Sequence, residues 1–338
     1  MPTITDVAQR AGVGVGTVSR VVNRKGYVDP GTRARVETAI AELGWIPQHA
    51  ARNIKSGRGR AVAVVVPYLT TPSIPERLHG IEAALEAADL DMIATSIERP
   101  GRRAEVLRRV VQRGRIDGLL LVSMVPNEEE LDAIQAAGIP LVLIDAYHRS
   151  LPRVIIDDAE GGELAARHLL GLGHRRVGFI GDRPVPGFRF TSSRLRLSGV
   201  NRALREQGLA IPEAHIGLGD PTRADARRLA TAVLTSPHPP TALVATSDIQ
   251  ALGVLEAART LGLDVPGDLS VVGFDDLEVA DFVGLTTIRQ PLALTGQRGV
   301  ERLLDLIAGR EPGALREVLP VELVARTTSA PPPVAAAA

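Results

Sequence analysis

The chain has 338 residues, 45% of them hydrophobic and 23% charged, a balance that fits a soluble globular protein of two or three folding units. It has no cysteine, no apolar run of about 18 residues and no secretory leader in MPTITDVAQR, which excludes disulfides, thiolate metal sites, cysteine nucleophiles and a membrane span and leads us to expect a cytoplasmic protein. The formal net charge of zero conceals a division: residues 1–60 carry ten Arg and Lys against four Asp and Glu, a net of +6, which leaves −6 on the remainder and points to a polyanion partner for the first part only.

Thr3-Ile4-Thr5-Asp6 reads as a helix start, with Thr3 as cap and Asp6 near the positive end of the dipole. Ile4, Val7, Ala8 and Ala11 fall on one face, and Gly12 stops the helix. A second helix is predicted from about Val15 to Val22, ended by Asn23 and Gly26, with Val18, Val21 and Val22 as its apolar side. Asp29-Pro30 opens a third, with Val36, Ala39, Ile40 and Leu43 inward and Gly44 at its end. A short turn around Gly12, followed by the branched Val13, suits a helix-turn-helix, and Thr17, Ser19 and Arg20 then face away from the valines, where phosphates and base edges would lie.

The strings ITDVAQRAGVGVGTVSRVVN and VDPGTRARVETAIAELGWIP carry D-V-A, A-G-V, T-V-S-R-V and a closing aromatic-x-Pro at Trp45 and Pro47. In these the chain resembles the DNA-binding head of the LacI/GalR family of bacterial regulators. The resemblance implies a head over residues 1–47 in which Thr17, Ser19, Arg20 and Asn23 touch phosphates or bases. Val15 and Gly16 fall where the family chooses its operator, and Gly14 replaces the family's usual Ser at the helix N-cap; Val15 offers a methyl contact and Gly16 bare backbone, so hydrogen-bond readout there is poor. Thr3, Thr5, Tyr27, Thr32, Trp45 and Gln48 are further DNA-facing candidates by the same likeness. Residues 48–60, QHAARNIKSGRGR, correspond to a hinge helix that folds on operator DNA, with Ala51 and Ile54 entering the minor groove.

From Ala61 the pattern becomes strand-helix alternation. AVAVVVP, DMIATS, DGLLLVS, PLVLID, VIID, RVGFIG, TALVATS and SVVGF are short β-branched runs separated by helical stretches, which predicts parallel sheets covered on both faces. The expected fold is therefore an all-α helix-turn-helix head joined to an α/β core of two parallel-sheet lobes. By resemblance the core is periplasmic-binding-protein-like, spanning 61–328 with effector-binding and dimerisation roles. Its first lobe is expected over about 61–157 and 290–315, its second over about 158–289 and 316–328, and 329–338 as a disordered tail.

Ligands in such folds lie beyond the carboxyl ends of the strands, in the interlobe cleft. Asp145, Arg196, Ser247, Asp275 and Gln290 occupy such positions, in the order of the family's landmarks, and Tyr68, Ser73, Ile74 and Phe190 complete the candidate effector set. An arginine with carboxylates and amides suits a polyhydroxylated, sugar-like effector, whereas a phosphate would prefer fewer carboxylates. No metal-binding histidine spacing, phosphate loop or dinucleotide fingerprint occurs, so neither an enzyme nor a metal or cofactor is expected. The resemblance implies a homodimer on palindromic duplex DNA and a repressor of a carbohydrate-utilisation operon, with inducer and co-repressor both open. A core that answers a partner protein is a third, weaker reading that the sequence does not separate from a sugar-gated one, whereas a sugar carrier would need an export signal and no basic head.

Overall fold

The computed structural model describes residues 2–22, 26–45, 61–112, 116–188, 190–311 and 313–333. The chain divides into two compact units, Met1–Gly59 and Arg60–Ala338. The predicted hinge helix, residues 48–60, lies outside the described residues.

In the smaller unit, helices span Ile4–Ala11, Val15–Val22 and Pro30–Leu43. Thr3 forms a full capping box with Asp6, and Asp29 caps the third helix through the Thr32 amide at 3.0 Å. Gly12 and Gly44, at φ 65° and 57°, close the first and third helices in the left-handed conformation that a side chain would resist. Val7, Val18 and Val36, one from each helix, are wholly buried together, and Arg10 ion-pairs with Glu42 to tie the first helix to the third.

The larger unit holds two six-stranded sheets. The first contains β1 (Ala61–Pro67), β2 (Asp91–Ile97), β3 (Gly118–Val122), β4 (Leu141–Ile144), β5 (Arg153–Ile156) and β11 (Arg316–Leu319), all parallel, in the order β2-β1-β3-β4-β5-β11. The second contains β6 (Val177–Asp182), β7 (Ile216–Gly219), β8 (Ala242–Ala245), β9 (Ser270–Asp275), β10 (Thr286–Arg289) and β12 (Glu322–Val324). Its order is β7-β6-β8-β9-β10-β12, parallel except that β12 runs against β10. β1, β3, β4, β8 and β9 are buried along their whole length, which is why they read as unbroken apolar runs.

The chain passes between the two sheets after β5 (Arg153–Ile156) and again after β10 (Thr286–Arg289). The third passage departs from expectation. β11 pairs with β5 in the register Arg316↔Arg153 to Leu319↔Ile156, so residues 316–319 belong to the first lobe and the return to the second falls between Leu319 and β12. The start of the tail is also corrected: Ala330 accepts hydrogen bonds from His174 Nε2 and Ser270 Oγ, and Ser329 Oγ meets His168 and Thr286, so Ser329 and Ala330 are docked on the second lobe by a polar cluster rather than loose.

Candidate functional site

Both cleft arginines are placed by helices that cross backbone to backbone. Arg77 lies on the Ser73–Ala87 helix, where a Cβ on Gly296 of the facing Leu292–Ile307 helix would come within 2.3 Å of the Arg77 carbonyl oxygen. Arg196 lies on the Ser192–Glu206 helix, where a Cβ on Gly162 of the Asp158–Gly171 helix would come within 2.0 Å of the Arg196 carbonyl oxygen. Only glycine permits such an approach. Gly162→Ala is therefore expected to push these helices apart, at a cost of about 1–3 kcal/mol in urea unfolding, and to displace Arg196 from its partners.

A buried polar chain runs across the cleft from these anchors. Ser123 Oγ donates to Asp145 Oδ2 at 2.7 Å, and Arg77 Nη2 lies 3.1 Å from that same oxygen. Arg77 Nη2 also donates to Gln290 Oε1 at 3.0 Å, and Gln290 Nε2 donates to Asp275 Oδ1 at 2.5 Å. One amide thus joins a first-lobe cation to a second-lobe carboxylate. Arg196 donates from Nε to Asp158 at 2.8 Å and from Nη1 to the Thr246 carbonyl at 2.5 Å, with its guanidinium 3.5 Å over the Phe274 ring. The backbone delivers two of the carboxylates with positive φ at the carboxyl ends of their strands: Asp145, just past β4, has φ 55° and Asp275, the last residue of β9, has φ 117°.

Burial governs the electrostatics. It pushes the Asp275 carboxyl up to about 6, against the pull of Arg196 and the Gln290 amide. Burial, reinforced by Asp275, pushes Asp248 up to about 8. Burial likewise raises Asp158 and Asp182, with Arg196 opposing it in both.

Of the nine effector candidates, Asp145, Arg196, Asp275 and Gln290 converge here. Ser247 instead caps the Asp248–Thr260 helix through the Gln250 amide at 3.2 Å. Tyr68 and Phe190 form an aromatic group with Phe188, and Ser73 opens the first-lobe helix. Ile74 is a correction: it is 2% exposed and packs with Val62, Val64 and Val66 beneath that helix, where its branched side chain fills core. Sequence reasoning missed Arg77, Ser123 and Asp158. Arg77 had a signal, since it stands between Ile74 and Ile81 at a helical spacing that buries its position, and a charge there needs a partner. Asp276, adjacent to Asp275, is held by Arg289 at 2.6 Å and Arg326 at 2.7 Å and serves the scaffold.

In the head, Val15, Gly16, Arg20 and Tyr27 are exposed, while Thr17 and Ser19 are half-buried on the same helix. Among the described residues Arg20 reaches back only to the Gly16 carbonyl at 3.3 Å and Thr17 Oγ1 at 3.4 Å. A Cβ at Gly14 or Gly16 would meet nothing within 4 Å, so packing does not require either glycine. Thr3 is committed to the capping box, Thr5 is exposed, Thr32 accepts from Arg35 at 3.2 Å, and Trp45 packs half-buried on the head's core. Asn23, Gln48, Ala51 and Ile54 lie outside the described residues.

Residues 3–48 match the bacterial regulatory proteins of the lacI family, and residues 166–329 match a periplasmic binding protein-like domain. Over 330 residues the chain is 32% identical to the HTH-type transcriptional repressor CytR of Escherichia coli (strain K12), covering 96% of this chain and 95% of that protein. The chain belongs to the LacI family. It is also 31% identical over 342 residues to the HTH-type transcriptional regulator DegA of Bacillus subtilis (strain 168), covering 97% and 98%. Among solved structures it is similar to the lac repressor dimer bound to operator and the anti-inducer ONPF, with 29% identity, a TM-score of 0.84 and coverage of 97% and 99%. It is likewise similar to a transcriptional regulator CelR–cellobiose complex, with 30% identity, a TM-score of 0.73 and coverage of 97% and 100%. As a LacI-family protein it is a ligand-responsive, DNA-binding transcriptional repressor.

Proposed function

We propose that this LacI-family repressor works in the cytoplasm as a homodimer, holds a palindromic operator of a carbohydrate-utilisation operon through its two heads, and changes its grip when a small sugar-like effector enters the cleft. The observation that carries the effector class is the pairing of charges. Arg77 is matched by Asp145 and Arg196 by Asp158, which leaves Asp275 as the carboxylate served by an amide rather than an arginine. A neutral ligand that donates several hydroxyls suits such a site; a phosphate or carboxylate would confront three buried carboxylates with both cations already engaged. The CelR–cellobiose complex among the similar structures supports the same class. In this reading the cleft binds and does not catalyse, and lobe motion reaches the DNA through the segment 48–60.

A thermal-shift panel of neutral sugars, sugar phosphates and nucleobases tests the class. A true effector at a hundred times its Kd should stabilise the protein by about 2.7 kcal/mol, and the shift should come from neutral sugars and not from their phosphates. Selection of duplexes from a random pool, with and without the sugar that binds, then reads the operator and the sign of control. No preference for any palindrome under either condition would end the repressor reading.

A further inference from the structure

Phe188 belongs by sequence to the second lobe and by packing to the first. The chain leaves β6 of the second sheet at Asp182 and re-enters that lobe at the helix starting with Ser192, and the two ends are stitched where the Asp182 amide donates to Ser193 Oγ at 2.9 Å. Between them the segment Arg183–Phe188 crosses to the other lobe. Phe188 is wholly buried there, in a core cluster whose strand members include Ala63, Val65, Leu119, Leu121, Leu141 and Leu143 of β1, β3 and β4.

The crossing is fixed by polar and steric contacts as well as apolar ones. Arg103, 6% exposed in the first lobe, donates from Nη1 to the Gly187 carbonyl at 2.7 Å, while its Nη2 is held by Glu130 at 2.8 Å and by the Val125 carbonyl. Gly187 turns at φ 93° against Pro100, where a Cβ would come within 2.9 Å of the proline ring. Tyr68, just past β1, meets the Phe188 ring edge-on at 5.3 Å. The excursion ends on the helix that carries Arg196, four residues beyond Ser192.

We propose that the Arg183–Phe188 segment is a latch between the lobes: without effector the core rests closed with Phe188 seated in the first lobe, and the cleft opens to admit a ligand only when Phe188 withdraws. This rests on the cleft being the effector site. It adds a fourth connection to the three chain crossings, one made by packing and therefore reversible, and it links seating of the ring directly to the position of Arg196. An aromatic side chain leaving a dry pocket exposes large apolar area, so the open form is the minor one.

The absence of cysteine allows a clean test on the full-length, ligand-free, DNA-free protein. Cysteines introduced as Gln135→Cys and Ala224→Cys, both at exposed positions in different lobes, carry a dye pair, and labelled chain is diluted into excess unlabelled chain so that each dimer holds one pair. Single-molecule energy transfer should show one closed population in the parent. Phe188→Ala should raise the open population at least tenfold, and Phe188→Leu, which refills the pocket with apolar volume, should return most of it. Circular dichroism and urea unfolding establish that each variant is folded. Should Phe188→Ala not fold, shortening the segment by replacing residues 184–188 with two glycines, which leaves the first-lobe core residues intact, must give the same open population. Distributions unchanged from the parent in a folded variant would overturn the latch. Operator selection by the parent chain is measured separately, so its failure would remove the repressor reading without bearing on the latch.

Discussion

Replacing Arg20 by alanine is expected to weaken operator binding by about 1–3 kcal/mol per half-site, hence between about thirtyfold and about twenty-thousandfold for a symmetric dimer. Arg20 is exposed on the second helix of the head, and among the described residues it bonds only to its own helix, at 3.3 and 3.4 Å. Among the described residues its guanidinium has no ion pair to give up when it turns to DNA. Its removal should change the head's stability by no more than about 0.5 kcal/mol, the usual range for surface substitutions, so lost binding is not lost folding. Fluorescence anisotropy over a salt series separates the two kinds of contact. A phosphate contact weakens operator and scrambled duplex alike and lowers the salt slope by about one per arginine, whereas a base contact weakens the operator selectively. Binding unchanged on both duplexes would remove Arg20 from the interface.

The head was legible nearly to the residue because its information is local. Thr3 with Asp6, Gly12, Asp29 with Pro30, and Gly44 each act within one turn of the chain, and each caps or ends the helix it was expected to. The core was legible where strands are buried on both faces. β7, β10, β11 and β12 escaped the apolar-run criterion: they are three or four residues long and include glycine, threonine, arginine and glutamate. Edge and near-edge strands are recognised by their neighbours rather than by their own composition, and for the same reason the lobe assignment of 316–319 could not be read locally.

The cleft shows a second limit. Positions past strand ends identified Asp145, Asp275 and Gln290, because topology alone brings strand termini together. Pairing is different. That Arg77 spans Asp145 and Gln290, and that Ser247 is spent on a helix cap, depends on side chains that meet from distant parts of the chain or on a cap that competes with the ligand for the same hydroxyl. Phe190 and Tyr68 illustrate the point further, since both were chosen as rings near the cleft, and the structure packs them with Phe188 on the first lobe.

Asp275→Asn should yield a core that is more stable at neutral pH and no longer answers its effector. The carboxyl sits at about 6 in the folded chain against an ordinary 3.8, so between these values the folded state holds its proton more tightly than the unfolded state does. The Asp275 contribution to stability must then fall as pH rises from about 4 to about 6 and stay level above that, by roughly 3 kcal/mol in all, while Asp248 goes on lowering the stability of both proteins up to about pH 8. Asparagine is neutral throughout and can still accept from Gln290 Nε2. The variant is therefore expected to match the parent near pH 4 and to exceed it by up to about 3 kcal/mol at pH 8, where it also relieves the repulsion that helps to raise Asp248. Effector binding moves the other way, because an amide oxygen accepts more weakly than a carboxylate; a hydrogen bond to a charged group is worth about 1.5–3 kcal/mol. Arg196→Ala would be a poorer probe, since it strands Asp158 unpaired in the interior at about 3–5 kcal/mol and confuses deafness with unfolding. Urea unfolding of both proteins from pH 4 to 8 decides the matter: parallel pH profiles would show that Asp275 carries no ionisation strain, and the effector class built on its unpaired charge would lose its support.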